Sequence, residues 1–368
     1  LRIIMDNGSM EMAKNTVVMG AQALQGKLND SDREILHKMD VMFGQALGEF
    51  ELLSGGKGRE RRPSDRLIAL YDEMGKSMQA FIATEPRIHV YPFSQPRESH
   101  GEASRLIAKL RDVRTPHEEF VYYIQRAFEL LFKLAYSTNL DSHRNYLMVE
   151  TPVNVPVQNF AVHKLPNIDG LVQNSVMCVL LRGALLPSMI MSKEIQEYSS
   201  NGFITPFALF RIKRNDTRKR DDMEYIMDLN GSYFNPETLD GKDLVFADPM
   251  NATGGSLVAV VEYLKSVGVR PRSVVCFNVI AALGGALQII RSVENAQVFT
   301  LWMDPVLNDK AYIMPGLGDA GDRLNGRDTE DAPRNIIQLI ADYGSNMSNL
   351  YRAQVRQIER TVLERGRS

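Results

Sequence analysis

The chain has 368 residues, 44% hydrophobic and 24% charged, with a formal net charge of −2, the composition of an ordinary soluble protein able to bury a core. With 43 basic against 45 acidic side chains it lacks the charge for broad binding to nucleic acid or an anionic membrane, and no apolar stretch approaches the ~20 residues that span a bilayer. The two cysteines, Cys178 and Cys276, lie in apolar runs, which predicts buried thiols in a reducing, cytoplasmic compartment and no disulfide framework.

Leu1 to Met10 lack the basic-then-apolar order of a secretory signal, and a start at Leu is consistent with a short missing leader. The first eighty or so residues read as helical throughout. Ser31 and Asp32 are the expected cap of a helix with Ile35, Leu36, Met39, Met42, Phe43, Ala46, Leu47 and Phe50 at helical spacing. The Gly-rich, charged stretch from Ser54 to Pro63 reads as a loop, and Ser64 or Asp65 then caps a second helix with Leu67, Ile68, Leu70, Tyr71, Met74, Met78, Phe81 and Ile82 on its buried side. The methionines concentrated here read as packing residues. Pro86, Pro92 and Pro96 mark a boundary, and Ser104 to Asn139 reads as a helical pair split at Thr115-Pro116.

Beyond Pro152 and Pro156 the pattern changes. Ser175–Leu181, Phe207–Ile212, Asp243–Ala247, Ser273–Ala281 and Val298–Met303 read as strands, with Leu257–Val267 and Gly285–Val293 as helices between the last three. That alternation predicts an α/β fold with a parallel sheet and helices on its faces. Asn335 to Glu364 returns to helix.

The segment from Leu244 to Ser256 places a buried strand first, then Asp248 at its C-terminal end, then the small-residue loop Ala252-Thr253-Gly254-Gly255-Ser256 opening a helix. Backbone N–H groups of a glycine loop at a helix N-terminus suit a sugar phosphate, with Thr253 and Ser256 as added hydroxyl donors and Asp248 as an acceptor for ribose hydroxyls. A strand–turn–helix connection that merely needs glycine would have the same residues. A second loop, Tyr312-Ile313-Met314-Pro315-Gly316-Leu317-Gly318-Asp319-Ala320-Gly321, contains G-x-G-x-x-G. Pro315 ahead of it and the loop-like stretch after it argue against a dinucleotide fold. Its main-chain groups can instead read the edge of a planar base.

Together these two segments resemble those of the uracil phosphoribosyltransferases. Weaker similarity lies in Leu110-Arg111-Asp112 with Thr115 and Phe120 (an N-terminal helical hood), in Glu150-Thr151-Pro152, in Leu181-Arg182-Gly183-Ala184-Leu185, and in Leu209-Phe210-Arg211. The resemblance runs from about Arg87 to about Asp342 and implies a phosphoribosyltransferase-type parallel sheet flanked by helices over residues 86–342, while a helical N-terminal extension over 1–85 and a C-terminal helical tail over 343–368 lie outside it. It also implies synthesis of UMP and diphosphate from uracil and 5-phosphoribosyl 1-diphosphate (PRPP) with Mg²⁺, in a cytoplasmic homo-oligomer, dimer or tetramer. PRPP contacts are implied at Arg182, Arg211, Asp248, Pro249, Met250, Asn251, Ala252, Thr253, Gly254, Gly255, Ser256 and Asp319. Uracil contacts are implied at Ile313, Gly318, Asp319 and Ala320. Asp248, Asp319 and Arg182 are the expected catalytic residues, and no side-chain cage for a metal is expected.

The chain departs from the family pattern at Gly183-Ala184, where the usual order is reversed, at Ala282-Leu283-Gly284-Gly285, in the charged segment after Arg211, and at Asn325. These changes touch the diphosphate side and the rim of the base pocket. They motivate an alternative, a regulatory or inactive homologue that binds nucleotide or PRPP. The basic run Arg211 to Arg220 motivates another, an RNA-binding attenuator, although its interleaved acids and lack of aromatics favour a solvated loop. Histidines without ligand spacing, and the absence of C-x-x-C, G-x-S-x-G and Walker motifs, argue against zinc, hydrolase-elbow and P-loop chemistry.

Overall fold

The computed structural model describes residues 10–13, 15–55, 64–136, 144–153, 159–326, 336–342 and 352–365. Its first elements are two antiparallel strands, β1 (Met10–Ala13) and β2 (Thr16–Gly20), with Asn15 at φ +62° between them. The reading of the first eighty residues as helical throughout is therefore corrected. Val17 and Met19 alternate inward, the period of a strand, and the pairing partner of β2 lies some two hundred positions away.

Helices α1 (Gln22–Gln25), α2 (Asp30–Gly55) and α3 (Asp65–Ile82) follow. The α2 cap is Asn29, ahead of the expected Ser31 or Asp32. Its side chain accepts from the Asp32 N–H at 2.8 Å, and the Asp32 carboxylate accepts from the Asn29 N–H at 3.0 Å. Ser64 caps α3 as expected, accepting from the Leu67 N–H at 3.1 Å. Met39, Met42, Met74 and Met78 are buried, so these methionines pack the core. Ser54 and Gly55 still belong to α2, and the rest of the expected loop lies outside the described residues.

Next come β3 (Ile88–Val90), α4 (Tyr91–Ser94), α5 (Arg97–Arg111) and α6 (His117–Tyr136). The last two are the expected helical pair, with α5 starting earlier, just after Pro96. A hairpin the sequence did not announce, β4 (Arg144–Glu150) and β5 (Phe160–Pro166), forms a separate two-stranded sheet.

The remaining elements are α7 (Asp169–Val172), β6 (Ser175–Leu181), α8 (Leu185–Tyr198), β7 (Phe207–Arg214), β8 (Glu224–Tyr233), β9 (Asp243–Asn251), α9 (Gly255–Ser266), β10 (Ser273–Ala282), α10 (Leu283–Ser292) and β11 (Ala296–Asp304). A short pair, β12 (Val306–Leu307) and β13 (Ile313–Met314), precedes α11 (Ala320–Asn325), α12 (Ile336–Asp342) and α13 (Arg352–Arg365). The tail positions Tyr343, Leu350 and Tyr351 lie outside the described residues.

Nine strands form one sheet in the order β1-β2-β8-β7-β6-β9-β10-β11-β3. From β7 to β3 all neighbours are parallel, as expected, while β8, β2 and β1 add an antiparallel edge, so the sheet is mixed. The central strands are apolar throughout because helices cover both faces. Cys178 and Cys276 are buried free thiols on β6 and β10. The chain winds outward in one direction from β6 to β8 and in the other from β9 to β11. This reversal opens a crevice at the strands' C-terminal ends, where open α/β sheets bind ligands.

Candidate functional site

A cavity of about 490 Å³ lies at that crevice, bordered by the ends of β6, β7, β9 and β10 and by the loop around β13. On one side β9 ends at Asn251, Gly254 turns the chain at φ +75°, and α9 starts at Gly255. The first N–H groups of α9 have no intrahelical acceptor and carry the positive end of the helix dipole, so an anion is favoured here. Gly254 is tied to its conformation twice. Its φ disfavours any side chain, and a Cβ would stand 2.8 Å from the Gly285 carbonyl oxygen of α10.

Asp248 sits three residues before the end of β9. Its carboxylate accepts from the Met250 N–H at 3.0 Å, and Asn278 on β10 donates to its carbonyl at 3.0 Å, fixing side chain and backbone together. Burial pushes the Asp248 carboxyl up to about 6, with a further rise from Asp319 and opposing effects of the Met250 N–H and Arg214. At neutral pH it is ionised yet poorly hydrated, a strong acceptor for hydroxyl groups.

The facing loop is built on β12 and β13, where Ile313 pairs with Leu307. Gly316 donates its N–H to Asp304 at 2.9 Å, and Asp319 caps α11 by accepting from the Asp322 N–H at 2.9 Å. Asp304, 1% exposed at the end of β11, also accepts from Arg111 of α5. Arg323 stacks over the Phe120 ring at 4.0 Å and donates to the carbonyls of Leu110, Leu317 (2.9 Å) and Asp112 (3.1 Å). The α5–α6 segment and the loop around β13 are thus one unit, held by two arginines. Burial raises the Asp304 pKa and lowers that of Arg323.

Of the residues singled out in the sequence, Arg182, Asp248, Met250 to Ser256, Ile313, Gly318 and Asp319 line this cavity. Pro249 and Ala320 are buried beside it without lining it. Arg182 donates to Asp322 and to the Gly326 carbonyl, both at 3.2 Å. Gly183 makes the close approach to the facing loop, with Gly321 Cα 3.4 Å from where its Cβ would be, while Ala184 is buried at the start of α8.

Arg211, an expected PRPP contact, is not among the residues that line the cavity. Its side chain lies on the exposed face of β7 against Gly231 and Asp228 of β8. Arg211 and Arg214 are three residues apart on β7, so they point to opposite faces of the sheet. The arginine that β7 delivers is Arg214, which donates to the Ala311 carbonyl at 3.0 Å and lies 5.3 Å from the Tyr312 ring centre. The sequence reading also missed Asp304 and Tyr225, whose hydroxyl bonds Thr253. Both are remote from the motifs they support. Arg218 pairs with Asp222 and Glu224, so the charged segment satisfies part of its own charge.

A family model described as uracil phosphoribosyltransferase matches residues 205–326. The uracil phosphoribosyltransferase of Dictyoglomus thermophilum is 30% identical over 227 residues, which cover 62% of this chain and 96% of that one. The enzyme of the same name from Bifidobacterium longum is 30% identical over 236 residues, with the same two coverages. A solved structure of a protein from Aquifex aeolicus is 29% identical, covers 62% of this chain and 96% of its own, and has a TM-score of 0.43.

Proposed function

The chain belongs to the uracil phosphoribosyltransferase family and is a phosphoribosyltransferase, and from that premise we propose that it joins uracil to PRPP, giving UMP and diphosphate. The observation that carries the reading is the convergence on one cavity of a helix-start anion loop, a desolvated carboxylate and a rigid main-chain loop.

In this reading Ala252 to Ser256 hold the 5-phosphate, and Asp248 accepts from the ribose hydroxyls. Ile313, Gly318 and Asp319 orient the base, and Asp304 keeps the base loop in shape through Gly316. Arg182 and Arg214 face the diphosphate, whose negative charge grows as its bond to the anomeric carbon breaks and the ring nitrogen of uracil bonds to that carbon. Positioning and charge stabilisation account for most of the rate in such a displacement. Mg²⁺ is normally bound by one or two carboxylates completed by substrate phosphates. Asp248 and Asp319 border the same cavity, and Asp319 disfavours ionisation of Asp248, so a cation fits beside them. Among the described residues no group of three or more His, Cys, Asp or Glu could hold an ion alone, so the fit is to a Mg²⁺–diphosphate complex. The ion would neutralise charge on the departing diphosphate.

The engagement of Arg182 with Asp322 favours a second reading, a homologue that binds PRPP without turnover. UMP formation from uracil and PRPP decides between them. Turnover that falls at least 100-fold in Asp319→Asn is expected, whereas PRPP binding with no UMP leaves the second reading standing. A second copy of the chain is the proposed partner, through the exposed β4–β5 hairpin, and the free buried thiols support a cytoplasmic setting. Among the described residues no helix is long and apolar enough to cross a membrane.

A further inference from the structure

We infer that Tyr225, on a strand outside every motif of the site, is a positioning residue that aims the Thr253 hydroxyl at the 5-phosphate. The inference rests on the phosphate-loop reading above and deepens it. Tyr225 is 1% exposed, and its ring lies against Gly255, the first residue of α9. Its hydroxyl donates to Thr253 Oγ1 at 2.6 Å, and the Gly255 N–H donates to the same oxygen at 3.2 Å.

A threonine hydroxyl has two lone pairs and one proton. Both lone pairs are engaged from within the protein, so what Thr253 has left to offer is its proton, and Thr253 borders the cavity at the helix start. A hydroxyl otherwise free to rotate becomes an oriented donor for an anion. Burial raises the Tyr225 pKa despite the opposing effects of its bond to Thr253 and of Arg214 and Arg220, so the phenol keeps its proton and can donate.

The tyrosine is itself held from a distance. It pairs with Arg214 of β7 on one side and with Met19 of β2 on the other. The Ala21 N–H donates to the Met223 carbonyl at 2.7 Å just before β8 begins. Strand β8 is interior only because the N-terminal hairpin pairs beyond it, so the start of the chain braces the phosphate loop through this side chain.

The test is calorimetric titration of ribose 5-phosphate into the full chain, Tyr225→Phe, Thr253→Ala and the double variant, a readout independent of turnover. Tyr225→Phe keeps the ring and is expected to weaken binding about 3- to 10-fold, with no further loss in the Thr253→Ala background. The Thr253→Ser variant, which keeps the oxygen, should restore the dependence on Tyr225. In steady state the change should fall on KM for PRPP, with kcat and KM for uracil held. Unchanged affinity in Tyr225→Phe, or equal losses with and without the Thr253 hydroxyl, would overturn the inference and leave the phosphate loop intact. Failure of the unaltered chain to bind ribose 5-phosphate would instead overturn the phosphate-loop reading, and this inference with it.

Discussion

Asp248 is held where its charge is costly. In an unfolded chain an aspartate titrates near 3.9, while burial moves this one to about 6. Between those values the folded state keeps a proton that the unfolded state has released. The stability contribution of this group therefore falls as pH rises through about 4 to 6 and stays lower above that window. Asp248→Asn keeps an oxygen for the Met250 N–H and removes the charge. It is expected to melt about 2–4 °C higher at about pH 7.5, with the gain shrinking towards about pH 4.5, and to lose most PRPP affinity. Thermal melts at both pH values check this, and an equal gain at each would rule out the charge as the cause. The functional residues legible in the sequence are those, like Asp248, whose role follows from position on a strand end. Arg211 and Arg214 could not be ranked, because they take opposite faces of β7 and only the packed sheet decides which face borders the crevice. Asp304 and Tyr225 act through residues far along the chain, a relation that spacing does not encode.

Helix α10 forms one wall of the phosphate loop, and α2 holds that wall in place. A Cβ on Gly285 would stand 2.2 Å from the Ala252 carbonyl oxygen, which explains why glycine occupies this position of the departing Ala-Leu-Gly-Gly segment. Near the other end of α10, Arg291 donates to both carboxylate oxygens of Asp32 at 2.9 Å and also pairs with Glu85. Asp32 is fully buried at the first turn of α2. Removing one partner of a buried pair leaves an uncompensated charge, whereas removing both can be nearly neutral. Arg291→Met is therefore expected to destabilise the chain by about 3–5 kcal/mol, and adding Asp32→Leu should recover part of the loss, with Glu85 and the Asn29 N–H still left without these partners. Urea denaturation of the two variants tests the pair, and an undiminished loss in the double variant would count against it. None of this contact is visible in sequence, although both helices are. Parallel strands buried on both faces read as continuous apolar runs, which is why β6, β7, β9, β10 and β11 were legible. Strand β8 interleaves Glu224, Asp228 and Asn230 with its buried residues, and β2 is short enough to pass for a helical turn.

At the scale of the whole molecule, a net charge of −2 is compatible with anion binding because Arg182, Lys213, Arg214 and a helix start border one crevice, and local charge there needs no basic surface. The N-terminal segment extends the sheet of the family domain and does not stand apart from it. The β4–β5 hairpin does the opposite. Met148 lies opposite Val162, Tyr146 opposite Lys164 and Glu150 opposite Phe160, so these residues share one face. Tyr146 and Met148 are each 66% exposed, Val162 61% and Phe160 54%. The other face carries Leu147 and Val149, also exposed. An arm this apolar suits the proposed association with a second copy of the same chain, the commonest partner of such a surface. The unaltered chain is expected to sediment as a dimer or larger. Met148→Glu with Val162→Lys places opposite charges across the hairpin, which preserves its pairing while making the face polar. This variant is expected to sediment as a monomer with unchanged circular dichroism. A monomeric unaltered chain, or an assembly that survives the paired charges, would show that the arm has another use.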